Sequence, residues 1–288
     1  MIVLAGPTAS GKSALAVAVA RRIGGTVVNG DPFQALRGLE IGTGQPSLEE
    51  QGGVPHVGYG LLPLSSRPNP ASFGGQVRGW LAEARNPVLV TGSGLYLRGI
   101  WDQLSDLPDV PEATVAKVRD LDRRLGTRVL HRFVAAVDPA RGAALHPNDA
   151  ARVQRALALH LATGAKPSDL REGRPVGAPE GVRVLVVAPT RDHRRDRVAR
   201  RIAAQMAAGW SAEVARLLAE GHESDLRALR PLGYEALMDG GDLGRIVTET
   251  RAYAKRQATW FRHQLKDAPA WDPDQEPLDA AFDRLGLR

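Results

Sequence analysis

The stretch IVLAGPTASGKS, residues 2–13, decides the fold of this chain. It contains the pattern Gly-x-x-x-x-Gly-Lys-Ser from Gly6 to Ser13, directly after an apolar run that is typical of a buried strand. Apolar residues then recur at helical spacing as far as Ile23, so the glycine-rich turn joins a strand to a helix. Because this is the context in which the pattern binds phosphate, we predict a phosphate-binding loop (P-loop) at residues 6–13.

The residues of the predicted P-loop suit a diphosphate or a longer phosphate chain. Backbone N–H groups of such a turn converge on an anion, and the start of the following helix adds partial positive charge. Lys12 supplies a full positive charge, and the hydroxyl of Ser13 can bind Mg²⁺. The predicted diphosphate-binding residues are Gly6, Pro7, Thr8, Ala9, Ser10, Gly11, Lys12 and Ser13, with Ser13 as the metal ligand.

The rest of the chain predicts an α/β fold with a P-loop NTPase-like parallel sheet and a helical insertion domain. Short apolar runs at residues 2–5, 27–28, 88–90 and 182–189 alternate with helical patterns, which indicates parallel strands covered on both faces. Residues 112–161 have helical periodicity with almost no strand pattern. We therefore predict a core in two parts, residues 1–110 and 181–288, and a helical insertion domain at residues 111–180. Helices should dominate from residue 191, before a loose tail at 267–277.

Composition limits the chemistry and the partners. The chain of 288 residues has no cysteine, which excludes disulfides, thiolate catalysis and thiolate metal sites. Its seven histidines show no paired metal-ligand spacing, so any metal should be a hard ion such as Mg²⁺. A net charge of +6 favours a polyanionic partner. With no membrane-spanning run and no basic leader, we expect a cytoplasmic monomer without membrane contact.

The P-loop alone does not distinguish ATP hydrolysis from other reactions in which a diphosphate leaves. A hydrolase needs a carboxylate at the end of a neighbouring strand. The run at residues 88–90 leads into Thr-Gly-Ser-Gly, which has no acid, and the nearest carboxylate is Asp31, after the run at 27–28. Such a site can bind a diphosphate and hold a general base, which favours a transferase. An ATP-binding small-molecule kinase stays open as an alternative.

Further motifs occur in a specific order along the chain: GPTASGKS at 6–13, NGDPFQALRGLEIGTGQP at 29–46, TGSGLYLRG at 91–99, HPNDAARVQRAL at 146–157 and AKRQATWFR at 254–262. In this order and approximate spacing they resemble the tRNA dimethylallyltransferase family, also called tRNA isopentenyltransferases. The resemblance extends to about Arg262. It implies transfer of a dimethylallyl group from dimethylallyl diphosphate to the exocyclic amine of the adenosine on the 3′ side of the tRNA anticodon, with Mg²⁺ as cofactor.

The resemblance also implies roles for individual residues. Asp31 matches the family's general base, and Arg197 matches a cation that stabilises the diphosphate. Ser93 stands where the family usually has a threonine that donates to the bridging oxygen. The family pattern also differs here at residues 32–37, which lack an alcohol and a tyrosine, and at Gln45, which replaces a lysine. The residues expected to bind tRNA are Asp31, Pro32, Phe33, Gln34, Arg152, Arg155, Lys255, Arg256 and Arg262.

Three alternatives follow from the same residues. A small-molecule kinase would use the P-loop without tRNA. An adenylate isopentenyltransferase would perform the same transfer on a free nucleotide, and the insertion would then have no purpose. A tRNA-binding module that has lost catalysis would not need Asp31. In the last helix, we expect Tyr253, Trp260 and Phe261 to pack on the core rather than to contact nucleic acid.

Overall fold

The computed structural model describes residues 1–104, 107–170 and 177–287 of the chain. Contacts divide these residues into two units, the first at 1–103 and 176–288 and the second at 104–175. The insertion predicted at 111–180 overlaps the second unit, and its residues 171–176 lie outside the described residues. The first unit therefore forms from two separated parts of the sequence.

The first unit contains a parallel sheet, which confirms the predicted α/β class. Its strands are β1 (Ile2–Ala5), β2 (Thr26–Asn29), β3 (His56–Val57), β4 (Pro87–Thr91), β5 (Arg183–Val187) and β6 (Ala270–Trp271). Their order in the sheet is β3-β2-β4-β1-β5-β6, and every pairing is parallel. The loops after β1, β2 and β4 consequently emerge at one edge, the carboxyl edge of the sheet.

The expectation of a loose tail at residues 267–277 is wrong. Ala270 and Trp271 form β6, which pairs with the end of β5, and the indole of Trp271 is buried. Neighbouring prolines interrupt any periodic pattern, so the sequence does not reveal so short a strand. β3, which is equally short, was not predicted either.

Helices account for most of the remaining described residues. They are α1 (Lys12–Ile23), α2 (Glu40–Thr43), α3 (Leu48–Gln51), α4 (Pro70–Glu83), α5 (Gly94–Ile100), α6 (Glu112–Leu125), α7 (Thr127–Val137), α8 (Pro139–Ala144), α9 (Ala150–Thr163), α10 (Arg191–Ala207), α11 (Trp210–Ala219), α12 (Glu223–Leu229), α13 (Tyr234–Met238), α14 (Leu243–Gln264) and α15 (Leu278–Arg284). No helix of the described chain is long and apolar enough to cross a membrane.

Alternating residues of the central strands supply the two faces of the sheet. Ile2 and Leu4 of β1 pack in one cluster with apolar residues of α1 and α15. Val3 and Ala5 face the other way, into a cluster with residues of α4, α5 and α14 that includes Phe261. Because both faces are covered, the strands read as continuous apolar runs rather than as an alternating pattern.

A third apolar cluster joins helices α10, α11, α13 and α14 of the first unit. Its largest fully buried side chains are Trp210 and Tyr234, whose rings meet edge to face at 5.6 Å. The second unit has its own apolar cluster, which joins α6, α7 and α9 through residues such as Val118, Leu130 and Val153. Each unit thus has a hydrophobic core of its own.

Glu213 of α11 is buried and fixes the short helix α2. Its carboxylate accepts hydrogen bonds from the backbone N–H groups of Ile41 (2.7 Å) and Gly42 (3.1 Å). It also accepts a hydrogen bond from the hydroxyl of Tyr234 at 2.6 Å. A buried carboxylate is tolerated when its oxygens are hydrogen-bonded in this way. The contact sets the position of α2, which borders the cavity described below.

We predict that Glu213→Ala lowers the free energy of unfolding by about 3 kcal/mol, because buried donors lose their acceptor. The matched control is Glu220→Gln, which removes a carboxylate from the exposed ion pair with Arg216 and should cost about 0.5 kcal/mol or less. Urea unfolding of both variants measures the difference. Equal losses in the two variants would contradict the assigned role of Glu213.

Candidate active site

A cavity of about 320 Å³ opens at the carboxyl edge of the sheet. Thr8, Lys12 and Ser13 of the P-loop line it, together with Asp31, which follows β2. Gly92, which follows β4, completes this side of the wall. β4 lies between β1 and β2 in the sheet, so the anion-binding turn and the acid approach the cavity from strands that are not neighbours. The structure therefore brings the predicted diphosphate site and the predicted base into one cavity.

The P-loop has the backbone conformation that its glycines predict. Gly6 lies so close to β5 that an added Cβ would be 2.4 Å from the carbonyl oxygen of Val187. Gly11 has φ of 95°, which a residue with a side chain rarely adopts, and offers no side-chain acceptor to the first turn of α1. The N–H groups of that turn are thus suited to an anion. Of the other loop residues, Pro7 and Ser10 are buried, and Ala9 packs against the third apolar cluster.

Lys12 is folded over the loop that precedes it. Its Nζ donates to the carbonyl oxygen of Pro7 at 2.6 Å and to Oγ of Ser10 at 3.4 Å. Burial, together with the charge of Arg201, lowers the pKa of Lys12 to about 7, although the charge of Asp31 opposes this shift. The lysine is therefore ready to regain a full charge when an anion enters the cavity.

Asp31 is held in a defined turn. Its backbone N–H donates to Oδ1 of the buried Asn29 at 2.8 Å, and its carbonyl oxygen accepts from Nδ2 of the same residue at 2.9 Å. Its Oδ1 accepts from the N–H of Phe33 at 2.9 Å. Burial raises the pKa of Asp31, although the Phe33 N–H and the charge of Lys12 oppose this shift. A carboxylate with a raised pKa is a better base than an ordinary aspartate.

Gln257 of α14, which sequence analysis did not predict as a site residue, connects the P-loop to the turn after β4. Its Oε1 accepts from the N–H of Thr8 at 2.9 Å, and its Nε2 donates to the carbonyl oxygen of Gly92 at 2.6 Å. The sequence signal that could have identified Gln257 as a site residue is its place within the motif at residues 254–262. Beside it, the hydroxyl of Tyr253 contacts Ser93, and burial raises the pKa of Tyr253 to about 12.

The predicted catalytic arginine, Arg197 of α10, lies next to the P-loop. A Cβ added at Gly11 would be 3.4 Å from its Nη1, while its Nη2 donates to Asp274 at 2.6 Å. One turn further, Arg201 lines the cavity itself and donates to the carbonyl oxygen of Thr43 at 2.7 Å. Burial lowers the pKa of Arg201. Sequence analysis missed Arg201, although its spacing of four from Arg197 puts both on one helix face.

Four of the residues predicted to bind tRNA line the cavity: Asp31, Phe33, Gln34 and Arg256. The amide nitrogen of Gln34 donates to the carbonyl oxygens of Thr43 (3.1 Å) and Gly44 (2.7 Å), which fixes the side chain and leaves its Oε1 as an acceptor. Pro32 is buried and does not line the cavity.

The other predicted tRNA contacts lie elsewhere. Lys255 and Arg262 line a separate groove of about 540 Å³ between α10 and α14. Arg152 and Arg155 are exposed on α9 of the second unit, where Arg152 pairs with Asp149 at 3.5 Å. Their roles stay predictions.

The aromatic residues of α14 divide between core and cavity. Phe261 is buried in the cluster on one face of the sheet, and Trp260 packs against it, as predicted. Tyr253 lines the cavity, so the expectation that it packs on the core is wrong. Its position one turn before Gln257 places its ring on the same side of the helix.

One hydroxyl that suits Mg²⁺ lies at the start of α1. Ser13 is exposed to the cavity beside Lys12, so its hydroxyl would hold the ion, which would supply positive charge to a bound phosphate. A second group, His193, Asp272 and Asp274, offers ligand atoms within 4.8 Å of one another. Asp274 already binds the guanidinium of Arg197, which leaves this group poorly suited to a cation.

Comparison with known proteins agrees with these features. The family model described as IPP transferase matches residues 34–264, and the model described as isopentenyl transferase matches residues 1–57. The chain is similar to the tRNA dimethylallyltransferase of Rhodospirillum centenum, with 41% identity over 95% of this chain and 91% of that protein. It is also 40% identical to the tRNA dimethylallyltransferase of Methylobacterium radiotolerans, over 95% of this chain and 93% of that protein.

Solved structures show the same architecture. The tRNA isopentenylpyrophosphate transferase of Bacillus halodurans aligns with a TM-score of 0.64 and 28% identity, covering 99% of this chain and 96% of that one. A eukaryotic dimethylallyltransferase acting on tRNA aligns with a TM-score of 0.77, over 98% of this chain and 77% of that one. At 23% identity, the second match concerns the fold alone. By its family-model match and by its identity to curated relatives over nearly the whole chain, the protein belongs to the IPP transferase family.

Proposed function

We propose that this protein transfers a dimethylallyl group from dimethylallyl diphosphate to the exocyclic amine of the adenosine on the 3′ side of the tRNA anticodon, and releases diphosphate. The observation that carries the proposal is that Lys12, Ser13 and Asp31 line one cavity. The names of the relatives support the choice of tRNA as the acceptor. The reaction takes place in the cytoplasm on a monomeric enzyme.

The P-loop side of the cavity holds the leaving group. As the bond between the allylic carbon and the diphosphate oxygen breaks, negative charge grows on that oxygen. The P-loop N–H groups, Lys12 and Arg197 supply positive charge there, and the hydroxyl of Ser93 donates to the bridging oxygen. Mg²⁺ bound through Ser13 supplies further positive charge to the phosphate oxygens when it is present. Fixed cations in a partly buried cavity need little reorganisation during the reaction.

The Asp31 side of the cavity activates the acceptor. The lone pair of the adenine amine is delocalised into the ring, so the nitrogen attacks well only if its proton is removed as the new bond to carbon forms. The carboxylate of Asp31 takes that proton. The electron pair of the broken carbon–oxygen bond leaves with the diphosphate, which balances the reaction without any oxidant or reductant.

Recognition of the base requires the nucleotide to leave its stack. An adenine held in an anticodon loop cannot reach a recessed carboxylate unless it is extruded into the cavity. The remaining acceptor of Gln34 suits the amine edge of adenine, and the ring of Phe33 offers a stacking surface. Both side chains come from the same turn as Asp31, so binding and proton transfer are linked in space.

We predict that Asp31→Asn lowers the rate of dimethylallyl transfer by a factor of about 10²–10⁴, the usual contribution of a general base. Asp102→Asn is the matched control, because it makes the same substitution at an exposed aspartate. We expect this variant to keep the rate of the parent protein. Mass analysis of tRNA nucleosides after incubation with dimethylallyl diphosphate and Mg²⁺ measures the product. Because burial raises the pKa of Asp31, the rate of the parent protein should fall with decreasing pH already above the range of an ordinary aspartate.

The same assay tests the alternatives. Transfer to free adenosine monophosphate in preference to tRNA would identify an adenylate isopentenyltransferase. ATP turnover with a small acceptor and no transfer to tRNA would identify a kinase. Tight tRNA binding that is unchanged in Asp31→Asn, with no product from either protein, would identify a binding module.

The pKa of Lys12 gives a second prediction. A bound diphosphate stabilises the charged lysine, so the free protein must take up a proton above pH 7 when it binds the anion. The parent protein should bind pyrophosphate more tightly than Lys12→Met does. We predict that the ratio of the two affinities falls as pH rises from 6 to 9, by up to about tenfold per pH unit above pH 7. Calorimetry measures both proteins, and the ratio cancels the titration of pyrophosphate itself. A constant ratio contradicts the role of Lys12.

The groove between α10 and α14 supports contact with the tRNA backbone. The charged residues that line it are Arg191, Arg194, Arg195, Arg251, Lys255 and Arg262, and no acidic residue occurs in its described lining. Burial lowers the pKa of Arg194, and the neighbouring charges of Arg191 and Arg262 lower it further. Crowded cations without an acidic partner favour a polyanion such as the phosphates of tRNA.

We predict that Lys255→Gln and Arg262→Gln each weaken the salt dependence of tRNA binding. In each variant the slope of log K against the logarithm of the salt concentration should be smaller in magnitude by about one. The control is Arg227→Gln, since Arg227 pairs with Glu223 and Asp239 on the surface and should leave the slope unchanged. Filter-binding measurements at salt concentrations from about 50 to about 300 mM provide the slopes. An unchanged slope in both groove variants would place the tRNA elsewhere.

A further inference from the structure

The C-terminal segment after β6 contacts Arg197 through Asp274. Nε of the arginine donates to both carboxylate oxygens at 3.0 Å, and its Nη2 donates to Oδ1 at 2.6 Å. The two side chains are only 24% and 18% exposed. Paired hydrogen bonds of this kind fix the plane of a guanidinium as well as its position.

The geometry leaves one edge of Arg197 available. Nη1 makes no contact with Asp274 and lies 3.4 Å from the Cβ position of Gly11 in the P-loop. Pro273, the residue before Asp274, lies 3.9 Å from the same position. The carboxylate therefore binds one edge of the guanidinium while the other edge faces the turn that binds the diphosphate.

The segment that carries Asp274 is itself fixed to the start of α10. Oδ2 of Asp272 accepts the N–H of Thr190 at 3.1 Å, and Thr190 caps the helix that carries Arg197. The backbone N–H of Asp274 donates to Oδ1 of Asp272 at 2.9 Å. His193 of α10 also faces the carboxylate, with its Nδ1 3.5 Å from Asp274. Asp274 is thus positioned from two sides against the arginine.

A carboxylate so close to a diphosphate site is electrostatically unfavourable for the anion. Its position is understandable if the orientation of Arg197 matters more than the added negative charge. A free arginine side chain must lose conformational freedom to bind, and a side chain that is already held avoids this cost.

We propose that Asp274 is a positioning residue, which holds Arg197 with its free edge toward the P-loop so that the guanidinium is preorganised for the diphosphate. The inference rests on the proposed function, because it assigns a purpose to the arginine beside the leaving group. Asp274 contacts no reacting atom and acts through Arg197 alone.

A double-mutant cycle on pyrophosphate binding tests the proposal in the full chain. We expect Asp274→Asn to weaken pyrophosphate binding by about three- to tenfold, the scale of one immobilised side chain. In an Arg197→Gln background the same change should have no effect. Asp274→Glu, which keeps the charge, should recover part of the affinity. In dimethylallyl transfer, Asp274→Asn should lower kcat more than it raises KM.

The control is Asp279→Asn, which makes the same substitution at an exposed aspartate in the first turn of α15, and it should leave pyrophosphate binding unchanged. The proposal is overturned if Asp274→Asn tightens binding, leaves it unchanged, or weakens it equally in both backgrounds. It is also overturned if Asp279→Asn has the same effect as Asp274→Asn. A parent protein that binds pyrophosphate but transfers no dimethylallyl group would contradict the proposed function, and the binding cycle would still decide the role of Asp274.

Discussion

The structure depends on bringing charged groups out of water at the carboxyl edge of the sheet. Burial lowers the pKa of Lys12 and Arg201 and raises that of Asp31, so each group is held in an environment that disfavours its charge. Such an arrangement is costly to folding, and it persists because the surrounding backbone supplies hydrogen bonds. In the proposed reaction, the diphosphate satisfies the cations, and the amine supplies the proton that the carboxylate favours. The electrostatics of the cavity therefore favour the proposed ligands.

α14 connects the parts of this site. Its buried face carries Phe261 into the sheet core and Gln257 between the P-loop and the turn after β4. Its other residues divide between the cavity, which Tyr253 reaches, and the basic groove, which Lys255 lines. A single continuous helix thus sets the distance between the proposed phosphate contacts of the tRNA and the proposed diphosphate site. Rigid elements position catalytic groups more reproducibly than loops do.

The sequence predicted the elements with strong local patterns. The P-loop, the apolar strands around it and the long helix α14 follow from periodicity and glycine placement. Asp31 could be predicted as a site residue from its place after a strand. For Arg201 and Gln257 the sequence offered only a helix spacing and a place within a motif, and for Asp274 it offered no signal. Their roles depend on side chains that meet across large sequence separations, such as Arg197 and Asp274. Local sequence patterns do not predict contacts between residues that are far apart in the chain. The prolines near Trp271 also interrupt the strand pattern, so the strand that positions Asp274 was not predicted.

The order of the strands has a consequence for synthesis on the ribosome. β1 lies between β4 and β5, and the second unit separates these two partners in the chain. A nascent chain that has released β4 but not β5 exposes one edge of its most apolar strand, which is the kind of edge that pairs with other chains. The second unit has its own core and emerges during this interval. Completion of the sheet, and with it of its carboxyl edge, must wait until β5 and β6 have been translated.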